Sequence, residues 1–351
     1  MKPAEPITIL GGGLSGLTLG LLLREQGIPV SVIEAGQYPR HRVCGEFLSG
    51  HGQAVLSQLG LLPACFAAGA RMAQTARFAS DTRSSPVRPL PRPALCLSRH
   101  TLDSLLATEL IRRGGEVRTG ERGDIAADHP GWVQATGRRP SAQVGGWRWF
   151  GVKAHADNVT LSADLELHVS ANAYVGLCRL AQHRVNVCGL FRRPVRGRET
   201  ATSDRQPLDW LRGRPGSPRF ERLAQAHFVP ESLCTVAGLD LRPRRATGQV
   251  RFALGDALSM IPPFTGNGMS LALETAHWAA APLAAYARGA SGWDEARAAY
   301  GRHFDQHCQQ RLRWAGWLQR LLFMPLAPSL LLGLSRNNFA WRRLFDLTRS
   351  G

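Results

Sequence analysis

The stretch "ITILGGGLSGLTLGLLLREQGIPVSVIEA" (residues 7–35) constrains the fold of this chain more than any other. Ile7–Leu10 is a short β-type run, Leu14–Gly27 is an apolar helix pattern with a glycine stop, and Val30–Ala35 is a second strand. That order predicts a βαβ unit, the setting in which a glycine fingerprint carries meaning. Gly11, Gly13 and Gly16 fill G-x-G-x-x-G. The first allows a tight turn, the second lets backbone approach a pyrophosphate, and the third lets helix pack closely on strand. The free N–H groups of the helix start, at Leu14 and Ser15, then face the phosphates. Glu34, with Ala35 beside it, closes the second strand, where a carboxylate accepts bonds from both ribose hydroxyls. A dinucleotide is expected, but this unit alone does not separate NAD from FAD.

A second glycine- and proline-shaped loop lies far downstream, in "GDALSMIPPFTGNGMSLALE" (Gly255–Glu274). The strand-like run "GQVRFAL" precedes it and the helical "NGMSLALETAHWAAAPLAAYA" follows it. Pro262 and Pro263 forbid helix across its middle and fix an extended path. Gly266 and Gly268 permit close backbone approach, and Asn267 or Gly268 caps the helix that begins before Met269. Asp256, at a strand end, suits a sugar-like hydroxyl, of which a ribityl chain is one. A helix start here also favours the negative charge of a reduced flavin ring.

The loop resembles the Gly-Asp motif of FAD-dependent hydroxylases of the para-hydroxybenzoate hydroxylase type. It is also similar to the corresponding loop of geranylgeranyl-reductase-like flavoproteins. The resemblance implies that Gly255 and Asp256 hold the ribityl chain and that Pro263 to Met269 run along the isoalloxazine. It extends to "HRVCGEFLSGHG" (His41–Gly52), where it makes Arg42 an FAD contact, and to Arg99, which it places near the phosphate and ribityl region. Cys44-Gly45-Glu46 resembles the Cys-Gly pair of the reductase group. Glu46 then either faces the substrate side of the flavin or caps the helix that follows it. Asp103 reads as a salt-bridge partner within its helix. In "VQATGRRP" (Val133–Pro140), Thr136 stands where the family has an aspartate, which weakens the case for a bound nicotinamide cofactor. The interval from Thr119 to Trp132 is short for the family's three-stranded meander.

The implied fold class is α/β: a Rossmann-like FAD-binding domain of glutathione-reductase type, an inserted β-sheet substrate domain and a helical C-terminal arm. The expected boundaries are 1–143 and 251–300 for the FAD-binding domain, 144–250 for the sheet domain and 301–351 for the arm. Alternating runs broken by Gly, Asn and Asp between Val144 and Phe191 support the sheet. Lys153 lies in it, alone with Lys2 among 43 basic residues that are otherwise arginine. A lysine gives up its proton when desolvated and arginine does not, so Lys153 is a catalytic candidate with Glu46. The alternative is a surface lysine on an edge strand. Trp149, His155, His168 and Tyr174 are candidate pocket residues.

The net charge of +17 comes without a nucleic-acid recognition motif, so no nucleic-acid partner is expected. The seven cysteines contain no CxxC pair, which predicts neither zinc site nor disulfide framework. The 11 histidines read as scattered, without an HxxxH pair beside an acid, and no metal is expected. The N-terminal apolar run lacks a secretory layout, which predicts a cytoplasmic protein. In the arm, the apolar stretch Leu321–Leu334 holds two prolines and is too short to span a bilayer. Its arginines and tryptophans suit the body of the protein, a greasy substrate entrance or peripheral membrane contact.

The expected function is that of an FAD-dependent oxidoreductase. The favoured chemistry is monooxygenation of a lipophilic aromatic or polyketide-like substrate through a flavin C4a-hydroperoxide. Reduction of isoprenoid or other C=C bonds is the alternative, and a non-catalytic flavin-binding protein is the minor one. With no second G-x-G-x-x-G, NADPH or NADH is expected only as a transient reductant.

Overall fold

Two sheets with different strand geometry organise the chain. The computed structural model describes residues 4–124, 129–138, 145–195, 206–324, 330, 332–333 and 335–349. The first half runs β1 (Ile7–Leu10), α1 (Leu14–Glu25), β2 (Val30–Glu34), β3 (Phe47–Leu48), α2 (His51–Gln58), α3 (Leu62–Ala67), β4 (Arg71–Ala79), β5 (Arg88–Cys96), α4 (Arg99–Arg112), β6 (Glu116–Thr119) and β7 (Trp132–Gln134). It continues with β8 (Trp147–Asp157), β9 (Leu165–Ser170), β10 (Ala173–Arg179), β11 (Val185–Pro194), α5 (Pro207–Arg212), α6 (Pro218–Leu223), β12 (His227–Ala237), β13 (Phe252–Ala253), α7 (Gly268–Ala287), α8 (Trp293–Leu322) and α9 (Asn338–Arg349).

The first sheet is parallel and five-stranded, in the order β13-β7-β1-β2-β6. Parallel strands need crossovers and coverage on their faces. Here α1 supplies the first crossover, and its leucines enter a core with Ile7, Ile9, Val32, Leu106, Leu110 and Leu273. The βαβ unit read from the sequence is present as expected. Gly16 shows why its type matters: a Cβ there would lie 2.0 Å from the Gly11 carbonyl oxygen. Backbone cannot swing aside as a side chain can, so Gly16→Ala is expected to lift α1 off β1. The expected cost is about 1–3 kcal/mol in urea unfolding, the usual range for overpacking. Wild-type stability in that variant would refute the close contact.

The second sheet has eight strands in the order β12-β8-β11-β10-β9-β4-β5-β3 and is antiparallel except where β4 meets β9. It does not follow the 144–250 boundary. Strands β3, β4 and β5 come from the stretch assigned to the FAD-binding domain, and the pairing of Ala76–Ala79 with Leu165–His168 joins them to the insert. The run "GQVRFAL" forms strand only at Phe252–Ala253. Lys153 is not on an edge, because β8 lies between β12 and β11.

The boundary at 301 also falls inside an element. Helix α8 runs through it, and Tyr300, Phe304, Cys308, Leu312 and Ala315 complete the core beneath the parallel sheet. Farther on, Trp341 of α9 is 3% exposed, packs tilted against the Phe78 ring and donates its indole N–H to the Pro89 carbonyl at 2.8 Å. Arg88 donates to the carbonyls of Ser335 and Arg336 and to Asn338. The described end of the arm is therefore fastened on β4 and β5. No helix among the described residues is long and apolar enough to cross a membrane.

Candidate cofactor cleft and active site

The strand ends of the parallel sheet open into a cleft of about 440 Å³. Gly13, Leu14 and Ser15 line one part of it, Glu34 and Arg42 a second, and Asp256, Pro263, Gly266, Gly268 and Met269 a third. The two loops that the sequence singled out thus meet across 240 residues of chain. Helix α1 begins at this wall without a side-chain cap, leaving its first N–H groups to the cleft. Arg99 lines it too, held by paired 2.7 Å bonds to Asp103, the salt bridge expected from the sequence.

Some expected residues stand behind the wall. Gly11 and Gly16 shape the turn, and Gly255 gives Ser15 room, since a Cβ would lie 2.3 Å from its hydroxyl. Asn267 is buried and accepts a bond from the Ser49 hydroxyl at 3.1 Å. Ala35 is exposed and away from the cleft lining. The sequence reading placed it by adjacency to Glu34, but alternate strand positions face opposite ways.

Glu34 carries more partners than expected. It accepts from the backbone N–H of Gly12 at 2.7 Å and of Gly36 at 2.8 Å, and Arg40 forks onto both its oxygens at 2.6 Å. Burial alone would raise its pKa, but Arg40 and these two amides outweigh burial and hold it at about 2. Tyr38, whose hydroxyl donates to the Gly12 carbonyl, packs beside this loop. Neither Tyr38 nor Arg40 was singled out from the sequence; the "YPRHR" run after the strand was the available signal.

Asp256 is the opposite case. Burial pushes its carboxyl up to about 6, although Arg99 and Arg138 pull it down. No described group donates a hydrogen bond to it. Its side chain is half-buried on the cleft wall, an acceptor without protein donors that hydroxyl groups of a bound chain would satisfy. Thr136, Gly137 and Arg138 line the cleft close by, so the stretch that departs from the family's aspartate still belongs to the site. Arg139 and Pro140 of that motif lie outside the described residues.

Comparison with known proteins agrees with this geometry. Residues 5–171 match the FAD binding domain family. The matched stretch is 167 of the 351 residues, so the likeness to an FAD binding domain covers just under half of the chain. A curated relative, 6-methylpretetramide 4-monooxygenase of Streptomyces rimosus, is 33% identical over 110 residues, which span 30% of this chain and 26% of that protein. The flavin-dependent brominase Bmp2 shares the fold with a TM-score of 0.77 at 17% identity, over 99% of this chain and 93% of the brominase. PqsL of Pseudomonas aeruginosa does so with a TM-score of 0.67 at 18% identity, over 98% of this chain and all of PqsL.

On the other side of the cleft wall, Glu46 and Lys153 are both 0% exposed and 3.3 Å apart. Glu46 lines the cleft; Lys153 does not. The same carboxylate accepts from His155 Nε2 at 2.6 Å and from the Arg99 N–H at 3.0 Å. It therefore caps α4, fifty residues on, and not the helix that follows it. Burial would raise the Glu46 pKa, but His155 and Lys153 more than compensate and lower it. His41 is pushed down to about 4, by burial first and then by Lys153, His155 and His100. A neutral His41 accepts from the Lys153 ammonium, 3.1 Å from its Nδ1.

His41, Glu46 and His155 lie close enough to ligate an ion. Lys153 already places its positive charge among them, so the trio does not fit a metal. The remaining pocket candidates are packed elsewhere. Trp149 and Tyr174 lie against Phe323, and the Tyr174 hydroxyl meets Gln319. His168 is buried on Glu166 at 3.1 Å.

A second, apolar cavity of about 100 Å³ adjoins the cleft. Phe78, Leu90, Leu165, Leu167, Leu177 and Phe264 line it, and it shares Gly45 and Phe47 with the cleft. Phe47 packs so tightly on Gly266 that a Cβ there would lie 2.3 Å from its ring. No local pattern marks this pocket, because its walls come from five strands and the proline loop.

Proposed function

We propose that the protein is an FAD-dependent monooxygenase acting on a lipophilic aromatic or polyketide-like substrate. The carrying observation is the shared wall: a dinucleotide cleft whose proline-loop end adjoins an apolar pocket through Gly45 and Phe47. In this reading Gly13 to Ser15 hold the pyrophosphate, Glu34 and Arg42 serve the adenosine end, and Arg99 the middle. Asp256 accepts from the ribityl hydroxyls, and Pro263 to Met269 run along the ring. At about 100 Å³ the apolar pocket is smaller than the roughly 150 Å³ cavity that takes up benzene, so it receives only the edge of an aromatic ring. A larger substrate extends from it past Phe47.

Bound and reduced, FAD supplies two electrons to O2. One oxygen atom would enter a substrate C–H bond as hydroxyl and the other would leave as water, with one NADPH or NADH, docking transiently, and one proton supplying the two electrons and two hydrogens of that water. The chain's own contribution is a dry pocket wall and the ionised Glu46, fixed by His155 and Lys153, at the edge of the cleft. The 6-methylpretetramide 4-monooxygenase supports this reading over the matched 110 residues.

The test is to reduce the FAD-loaded protein anaerobically with NADPH, admit ¹⁸O2 with aromatic and polycyclic candidates, and weigh the product. One ¹⁸O atom per product is expected. An alkene saturated by two hydrogens, with no ¹⁸O, establishes the reductase reading instead.

A further inference from the structure

Exposed apolar side chains gather in the C-terminal arm. Of the eight large ones among the described residues, four lie between Trp317 and Phe339: Trp317, Met324, Leu330 and Phe339. Single exposures scattered over a surface need no explanation, whereas a cluster with charge around it marks an interaction surface. At the end of α8, Arg313, Trp317, Arg320 and Met324 are exposed and spaced four, three and four residues apart, which puts them on one helical face. Met324 stays on that face although α8 ends at Leu322, because its N–H bonds the Leu321 carbonyl at 3.0 Å. The opposite face, with Ala315, Leu318 and Leu322, is buried.

The neighbouring helix repeats the arrangement. Helix α9 packs against α8 and fastens Trp341 on β5, but Phe339 is 77% exposed, with Arg342 and Arg343 exposed three and four positions on. Between Gln306 and Phe345 the sequence has six arginines and no acidic residue. Arg311 is paired with Glu274; the other five are exposed and none makes an ion pair. None of these arginines lines the cofactor cleft.

We propose that the exposed faces of α8 and α9 form a docking surface for an anionic lipid bilayer, on which the protein lies without crossing it. Trp317, Met324 and Phe339 enter the boundary between headgroups and acyl chains, while the guanidinium groups stay level with the phosphates and bond them. No described helix is long and apolar enough to cross, so the contact is peripheral. Charge and apolarity together decide among partners. A second copy on a two-fold contact would set arginine against arginine with no carboxylate between them. Nucleic acid would satisfy the arginines, but the aliphatic Met324 and Leu330 find partners only in lipid.

The experiment is sedimentation of the FAD-loaded full chain with vesicles of phosphatidylcholine and phosphatidylglycerol in equal parts, beside vesicles of phosphatidylcholine alone. Binding to the anionic vesicles only is expected, and high salt should weaken it. An arginine near such a surface contributes about fivefold in partitioning, so Arg313→Gln with Arg320→Gln should weaken binding roughly 30-fold. Trp317→Ala should weaken it by about tenfold. These side chains are exposed, and unchanged circular dichroism and flavin absorbance verify the fold. Arg122→Gln with Arg214→Gln removes two exposed charges elsewhere and should leave the affinity nearly unchanged. An equal loss in that control overturns the proposal, because the attraction then belongs to the whole charge of +17. So does the absence of binding to anionic vesicles. A single-stranded oligonucleotide that binds through Arg313 and Arg320, while vesicles do not, overturns it in favour of nucleic acid. A dimer that Trp317→Ala dissociates, without vesicle binding, overturns it in favour of a second copy.

Discussion

Replacing Asp256 by alanine is expected to yield a folded chain that no longer retains FAD on gel filtration. The carboxylate faces the cleft without a protein donor, and Arg99 and Arg138 only partly offset its burial. Hydrogen bonds to a charged group contribute about 1.5–3 kcal/mol each, so losing one weakens FAD binding by roughly 10- to 150-fold and losing two by at least about 150-fold. The same substitution stabilises the FAD-free protein above pH 6. The sign follows from linkage. Its folded-state pKa of about 6 stands above the ordinary 3.8, so the folded chain binds the extra proton between those values. Stability therefore falls as pH rises through this window, and Asp256→Ala removes that fall. The gain is on the order of 2 kcal/mol after allowance for water in the open cleft, and it vanishes below pH 4. Urea unfolding of the FAD-free proteins at pH 4 and 7.5 measures it. Stoichiometric FAD in the purified variant would remove Asp256 from the site.

The second large effect is at Lys153. Lys153→Met is expected to destabilise the protein by about 3–5 kcal/mol, because it strands the buried Glu46 carboxylate with one cationic neighbour fewer. Adding Glu46→Gln is expected to recover part of the loss, and the double-mutant cycle reads the coupling directly. Glu46 has a lowered pKa, so the stability it brings is present above its ordinary value of 4.5 and drains away as pH falls below it. The wild type should lose stability on acidification in that range more steeply than the double variant. Lys153 does not line the cleft, so the single variant, where folded, should still bind FAD. A loss under 1 kcal/mol would mean that the pair is not coupled as its 3.3 Å separation requires.

The contrast between these two residues shows how far the sequence reaches. Asp256 was legible because it sits in a local pattern, Gly-Asp, then Pro-Pro, then Gly-x-Gly before a helix, where backbone chemistry leaves few conformations. Lys153 was legible only as an oddity of composition. Its partners His41 and Glu46 lie more than 100 residues away, and strand register sets the encounter. Glu46 was read against the helix that follows it, yet it caps α4, because β3 pairs with β5 and carries it there. The pair His303 and His307 on α8 is legible in the sequence as HxxxH around an acid, against the expectation of none, and only the structure shows that the two rings stack 4.1 Å apart.

By itself the sequence determined the βαβ unit, the proline loop and the aspartate that faces the cleft. Each rests on contacts between residues only a few positions apart, where glycine, proline and hydrophobic period decide. Tertiary structure alone decided that β3 to β5 belong to the second sheet, that Arg40 takes the Glu34 carboxylate, and that Phe47 stands between cleft and apolar pocket. The first and third depend on which distant strands bury each other's faces, which no local pattern encodes, whereas Arg40 lies only six residues from Glu34 and its choice rests on the turn between them.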